Sequence, residues 1–166
     1  MRHELDHRII NSASISWIFV VITLVIIFLL VFHIVYTLWE HQILLRKLRK
    51  QHSNLTHSIP MSLGMSSTMA LCTIVGGIMI NHQNVAYIVG LITGIFISGL
   101  ISSPFKDGIA ILDGIIAGSM GGLMGVMVGV MIPQIGLYIV TIFLIILFAI
   151  AWIVIYRHIV LHYQIS

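Results

Sequence analysis

The chain has 166 residues, 59% of them hydrophobic and 8% charged, with a formal net charge of +3 and a mean hydropathy of +1.11. A soluble domain carries about 25% charged residues, so this composition excludes a globule covered by water and points to one solvated by lipid. Four of the eight Lys and Arg residues stand in one short run, so the charge reads as topology information and argues against a nucleic-acid-binding face, and the single cysteine, Cys72, excludes an internal disulfide.

Residues 1–14 are polar and of mixed charge, and the first apolar segment runs from about 15 to 39. Trp17 and Trp39 bracket it, 22 residues or roughly 33 Å of helix apart, which matches the two interfacial belts of a bilayer. The segment exceeds the roughly 7–15 residues of a signal-peptide core and lacks a small-residue cleavage site, so it reads as an anchor. Residues 40–57 follow, with Arg46, Lys47, Arg49 and Lys50 clustered. They read as a topogenic basic loop, with contact to anionic lipid or a partner as the alternative. Asn54-Leu55-Thr56 matches a glycosylation sequon, discounted because the topology places it in the cytoplasm.

Ser58-Ile59-Pro60 opens the second segment, about 60–80, where the proline suits a first helical turn. The polar turn Asn81-His82-Gln83-Asn84 leads to a third segment, about 85–103. Phe105-Lys106-Asp107 makes a short charged loop before the fourth, about 108–132. Pro133-Gln134 breaks that helix, and the fifth runs from about 135 to 156 before a tail with Arg157, His158 and His162. The pattern predicts an all-α bundle of five transmembrane helices in one membrane domain, 1–166. The basic run, the Lys106 loop and the Arg157 tail fall on one side, which the positive-inside rule makes cytoplasmic, with the N-terminus out and the C-terminus in. Val85-Ala86-Tyr87-Ile88-Val89 resembles Gly136-Leu137-Tyr138-Ile139-Val140, but so short a match in biased composition reads as chance rather than as an internal repeat.

The fourth segment, LDGIIAGSMGGLMGVMVGVM over 112–131, sorts its residues by angle. At about 100° per residue, Asp113, Met120, Met124, Met127 and Met131 share a wedge of roughly 60°. Gly114, Gly118, Gly121, Gly125 and Gly129 form a strip about 140° away. On the third segment Ala86, Gly90, Gly94 and Ser98 make a ladder of small residues. Lipid tails supply no hydrophobic drive for helix association, so such strips read as packing seams where backbones approach closely. A glycine-lined pore is the alternative.

On the second segment Met61, Met65, Met69, Cys72 and Met79 share a wedge of about 80°. Eight of the nine methionines lie in the second and fourth segments. Thioether and thiolate ligands select Cu(I) over harder ions, whereas methionine also fills irregular gaps in apolar cores, so a soft-metal path and plain packing both stand. Asp113 lies about one and a half turns inside the fourth helix. Its position on the methionine face suits a cation or proton role; a headgroup-level position, or a pair with Lys106, is the favoured reading. Only His33 of the nine histidines lies within a span, and the others read as solvated or interfacial. No enzyme is expected: Asp113 lacks the second membrane aspartate of an aspartyl protease, and Ser119 lacks an intramembrane histidine.

The run Leu112-Asp113-Gly114, Ala117-Gly118 and Met120-Gly121-Gly122-Leu123-Met124-Gly125 resembles a motif of small Met/Gly-rich multispanning membrane proteins of Gram-positive, spore-forming bacteria. With the Gly64-Met65 stretch, the resemblance covers about a third of the chain. It implies a multi-pass protein of a bacterial plasma membrane and carries no activity. A looser similarity is to the eukaryotic copper-uptake (Ctr) family, which pairs MxxxM with GxxxG. Met61/Met65 and Met120/Met124 match the first element and Gly90/Gly94 the second. The chain departs from that family in its five predicted spans and its lack of a Met-rich outer tail.

Two functions are therefore expected. One is a non-enzymatic small-solute or soft-cation permease or channel subunit, in which Met120, Met124, Met127 and Met131 form a thioether path for a Cu(I)-like ion. Asp113 would stand at its cytoplasmic end, with Met61, Met65, Met69 and Cys72 as the facing wall. The other is an accessory or scaffold subunit whose glycine faces pack against a partner membrane protein or a second copy.

Overall fold

The computed structural model describes residues 17–40 and 53–164, with the backbone alone for 53–56 and 158–164. The described residues form five α-helices: α1 (Trp17–Glu40), α2 (Ser53–Ile78), α3 (Gln83–Ser102), α4 (Gly108–Met131) and α5 (Gln134–Gln164). A 3-10 turn, Ser103–Phe105, extends α3. All five helices are long and apolar enough to cross a membrane, and the protein is an all-α, multi-pass membrane bundle. The basic run with Arg46, Lys47, Arg49 and Lys50 lies outside the described residues.

Two boundaries differ from expectation. Helix α2 starts at Ser53, so Pro60 lies inside it and not in its first turn. Proline in a helix forfeits one backbone hydrogen bond to the carbonyl four residues earlier. Pro60 is buried, and Gly114 on α4 leaves room for its ring: a Cβ added at Gly114 would lie 3.4 Å from the Pro60 Cβ. Helix α5 continues to Gln164, well past the expected end near 156, because nothing in the tail carries a Pro or Gly stop signal.

Short connections at 79–82 and 106–107 fold α2, α3 and α4 back and forth, so α2 and α4 run parallel with α3 antiparallel to both. The α2–α4 seam keeps one register. Met65 meets Gly121, Met69 meets Gly125 and Thr73 meets Gly129, a constant offset of 56 residues. Opposite, α3 brings Ser102 to Gly114, Ser98 to Gly118, and Gly94 and Gly90 to Gly122. Helices α2 and α4 are the most enclosed, with 50% and 44% of their spans buried against 17% for α5.

Helices α1 and α5 cover the other side of α2. Leu137, Thr141, Leu144, Phe148 and Trp152 make the buried stripe of α5, at the helical spacing of one face. Near the Lys106 end, Phe148 and Trp152 join Ile34 and Leu38 of α1, Ile59 and Leu63 of α2, and Ile101 of α3 in one cluster. Toward the other end Val20 and Ile27 pack with Ala70, Ile74 and Leu144.

Helix α2 spans with a mean hydropathy of only 1.4 because its hydroxyls satisfy themselves. Thr68 Oγ1 donates to the Gly64 carbonyl at 2.8 Å and Thr73 Oγ1 to that of Met69 at 2.8 Å. Ser98 and Ser102 of α3 donate in the same way to Gly94 and Ser98. Such back-bonding lets a polar side chain sit in an apolar medium without an unpaired donor. At the α3–α4 connection Lys106 takes a left-handed backbone (φ 50°), and the Asp107 carboxylate caps α4 by accepting from the Ile109 N–H at 3.3 Å.

Candidate functional site

Helix α4 has two faces with different neighbours. On its glycine face the backbones of α2 and α3 arrive within contact distance. A Cβ added at Gly125 would lie 2.6 Å from the Met69 carbonyl oxygen and 3.0 Å from the Cys72 Cβ. One at Gly121 would lie 2.6 Å from the Met65 carbonyl oxygen. On the α3 side, Gly118 would meet the Gly94 carbonyl oxygen at 2.7 Å, and Gly90 the Gly122 carbonyl oxygen at 3.0 Å. Only hydrogen fits at these positions, so dispersion between bare backbones holds the three helices together. Gly114, Gly118, Gly121, Gly125 and Gly129 are all buried, as are Gly90 and Gly94.

The methionine face of α4 looks the other way. Met120, Met124, Met127 and Met131 are 58%, 50%, 51% and 71% exposed. The methionine wedge of α2 does not face them. The α2 backbone at Met65 and Met69 and the Cys72 Cβ lie against the glycine strip of α4. The side chains diverge: that of Met69 packs with the α1–α5 cluster around Val20 and Leu144, while Cys72 is buried against Ala86 and Val126, its Sγ 3.7 Å from the Gly90 carbonyl oxygen. Met61 is exposed. The two stripes therefore do not enclose one path within a single chain, because the glycines stand between them. The expected facing wall is corrected on this point.

Asp113 also finds a partner that its sequence neighbourhood did not suggest. Its Oδ2 lies 3.1 Å from His57 Nδ1, across the α2–α4 seam, and not on Lys106. The pair obeys the same offset of 56 residues as the glycine contacts. Both side chains are about a third exposed, at 32% and 38%, so the site sits at the boundary of the bundle, one turn into each helix. The sequence places His57 among the solvated or interfacial histidines, and it gives no sign of the pairing with Asp113. Only the parallel register of α2 and α4 identifies it, and that register is invisible until the turns at 79–82 and 106–107 are known. His33, the histidine within a span, is exposed with its ring edge-on to Trp152 at 6.1 Å. Among the described residues no group of three His, Cys, Asp or Glu side chains is arranged to hold a metal.

The opposite end of the same seam opens into a cleft of about 260 Å³ between α1, α2, α4 and α5, with Trp17, Asn81 and Gln134 at its rim and Gly77 and Gly129 in its wall. The sequence reading did not single out this place; the signal for it was Pro133, which ends α4.

Comparisons with protein-family models, with curated proteins and with solved structures found no match to this chain.

Proposed function

We propose that the protein is a non-enzymatic channel or permease subunit for a small, soft cation of the Cu(I) kind, and that the path forms between copies of the chain at the methionine face of α4. The observation that carries this reading is the spacing and exposure of that face together. Met120, Met124, Met127 and Met131 follow at intervals of four, three and four residues, the spacing of a seam that receives another helix. All four point out of the chain. The large exposed side chains of α1, α3 and α5 face the same lipid with Ile, Val, Leu, Phe, Trp and Tyr and without methionine. A face that needed only to dissolve in lipid has no reason to differ from them in composition.

Copies in one membrane share an orientation, so a closed ring sets their α4 helices parallel, each methionine level with its counterparts. The layers follow at roughly 4.5–6 Å along the helix. Thioethers are soft, uncharged ligands that hold Cu(I) without trapping it as thiolates do. Asp113 lies on the same wedge, at the end that the positive-inside rule assigns to the cytoplasm, where a carboxylate gathers cations. The resemblance of 112–125 to bacterial proteins and the basic run support a multi-pass place in a bacterial plasma membrane. The accessory-subunit reading needed the glycine faces for a partner, and those faces are filled by the chain's own α2 and α3.

The test is replacement of all four α4 methionines by leucine, followed by Ag(I) accumulation in cells and Ag(I) binding to the purified protein. Leucine keeps volume and apolarity, so the fold survives with a change below about 1.5 kcal/mol per site. Loss of accumulation and binding is expected. Accumulation equal to that of the unmodified protein, with a normal expression level, contradicts a thioether path.

A further inference from the structure

We propose that His57 and Met61, with Asp113 behind the imidazole, form a binding site for one soft monovalent cation, Cu(I) or Ag(I), at the mouth of the α2–α4 seam. The site uses none of Met120, Met124, Met127 and Met131 and does not rest on a path between copies of the chain. It starts from the hydrogen bond across the seam. A carboxylate only accepts, so the 3.1 Å contact between Asp113 Oδ2 and His57 Nδ1 puts the proton of a neutral imidazole on Nδ1. The other nitrogen, Nε2, then keeps its lone pair. A carboxylate in this position is the usual outer partner of a metal-binding histidine. It fixes the tautomer, holds the ring in one orientation and makes the free nitrogen a better ligand.

Met61 supplies the second donor. It follows His57 by four residues on α2, which sets the two side chains on one face, a turn apart. Helical side chains lean toward the N-terminus, so a long chain at 61 reaches back over the turn that carries His57. Met61 is 52% exposed, so the filling of a gap in the core does not account for it. The His57 side chain is about a third exposed, and an ion can reach both donors from outside the bundle.

The donor set chooses the ion. Zinc takes three or four protein ligands, and among the described residues no group of three His, Cys, Asp or Glu side chains is arranged to supply them. A d10 monovalent ion is satisfied by two donors in a line, and a thioether beside an imidazole favours Cu(I) and Ag(I) over the harder divalent ions. The charge also fits. The N-terminal ends of α2 and α4 bring about half a positive charge each, and the Asp113 carboxylate offsets their sum.

The experiment uses the full chain in phosphatidylcholine nanodiscs, with leucine at the four α4 methionines and Cys72→Ala, so that neither that face nor the thiol takes up metal. The histidines carry ¹⁵N, and silver nitrate is titrated in while the His57 ring nitrogens are followed by NMR. A saturable shift of Nε2 is expected, with the proton staying on Nδ1. Met61→Leu keeps volume at an exposed position, so the fold survives, and it is expected to weaken Ag(I) binding at His57 at least about tenfold. Asp113→Ala is expected to mix the two ring tautomers and to weaken binding about tenfold, the usual effect of losing an outer-shell carboxylate. His33→Gln is the control: Leu29 and Thr37 stand a turn away from it on either side, and binding at His57 is expected to stay unchanged. Zn(II) at the same concentration is expected to leave the Nε2 resonance in place. No saturable shift of Nε2, full affinity in the Met61→Leu protein, or an equal response to Zn(II) overturns the proposal. An unchanged tautomer and affinity in Asp113→Ala overturns the part given to the carboxylate. Because the α4 methionines are already absent from this protein, none of these outcomes decides the thioether path, and the two readings fail independently.

Discussion

At the scale of single residues, the sign of a substitution follows from what stands opposite. Gly125→Ala puts a methyl group onto the Met69 carbonyl and the Cys72 Cβ, both fixed to the α2 backbone, so α2 must move. A loss of about 1–3 kcal/mol is expected in detergent unfolding, the usual cost of overpacking a closed interface. Gly99→Ala is its control: the nearest atom to the new methyl group is 3.9 Å away, at Ile115 Cγ1. There the gain in helix propensity leaves the protein unchanged or more stable by up to about 1 kcal/mol. Thr141 is buried on α5, and its hydroxyl has no hydrogen-bond partner among the described residues. Thr141→Val removes an unpaired polar atom and is expected to stabilise by about 1 kcal/mol in the same assay. The His57–Asp113 contact, a third exposed, is worth little: a double-mutant cycle of His57→Ala and Asp113→Ala is expected to give a coupling below about 1 kcal/mol.

At the scale of elements, the angular sorting on α4 was readable because a helical period converts sequence spacing into faces. Glycine and methionine separate on the wheel, and the structure seats the glycines on α2 and α3 and leaves the methionines outside. Periodicity says nothing about which neighbour a face meets. That is why the sequence offers Asp113 only a headgroup-level position or a pair with Lys106, whereas its partner is His57, brought in by the parallel α2–α4 register. The same gap explains the error over the facing wall. The α2 backbone at Met65 and Met69 lies on the glycine strip of α4, while the Met69 side chain turns to the α1–α5 cluster. The start of α2 was missed for a local reason: proline favours a first turn, yet a buried ring with room made by Gly114 is tolerated further in. Helix α5 shows another limit: it is apolar all round, so the face it buries is set by its neighbours and not by a visible period. Phe148 is fully buried among Ile34, Leu38, Leu63 and Ile101, and Phe148→Ala is expected to cost about 3–5 kcal/mol and to loosen α1 and α5 from α2.

At the scale of the whole molecule, the bundle is a tight trio of α2, α3 and α4 with α1 and α5 laid along one side. That arrangement is lopsided. It leaves α4 open along the edge that carries the methionines, while hydroxyl back-bonding and glycine contacts close the interior of the trio. Any route through the protein that uses thioethers must therefore lie at the boundary with another molecule, which makes assembly the central question. Disulfide cross-linking in native membranes answers it, with Cys72→Ala as background and single cysteines at Met124 and Met127 on α4, Ile92 on α3 and Phe143 on α5. All four positions are exposed, so they differ only in the face they report. Covalent dimers at Met124 and Met127, and monomers at Ile92 and Phe143, are the expected result. Monomers at all four positions, or equal dimer formation at all four, would contradict assembly through the methionine face of α4.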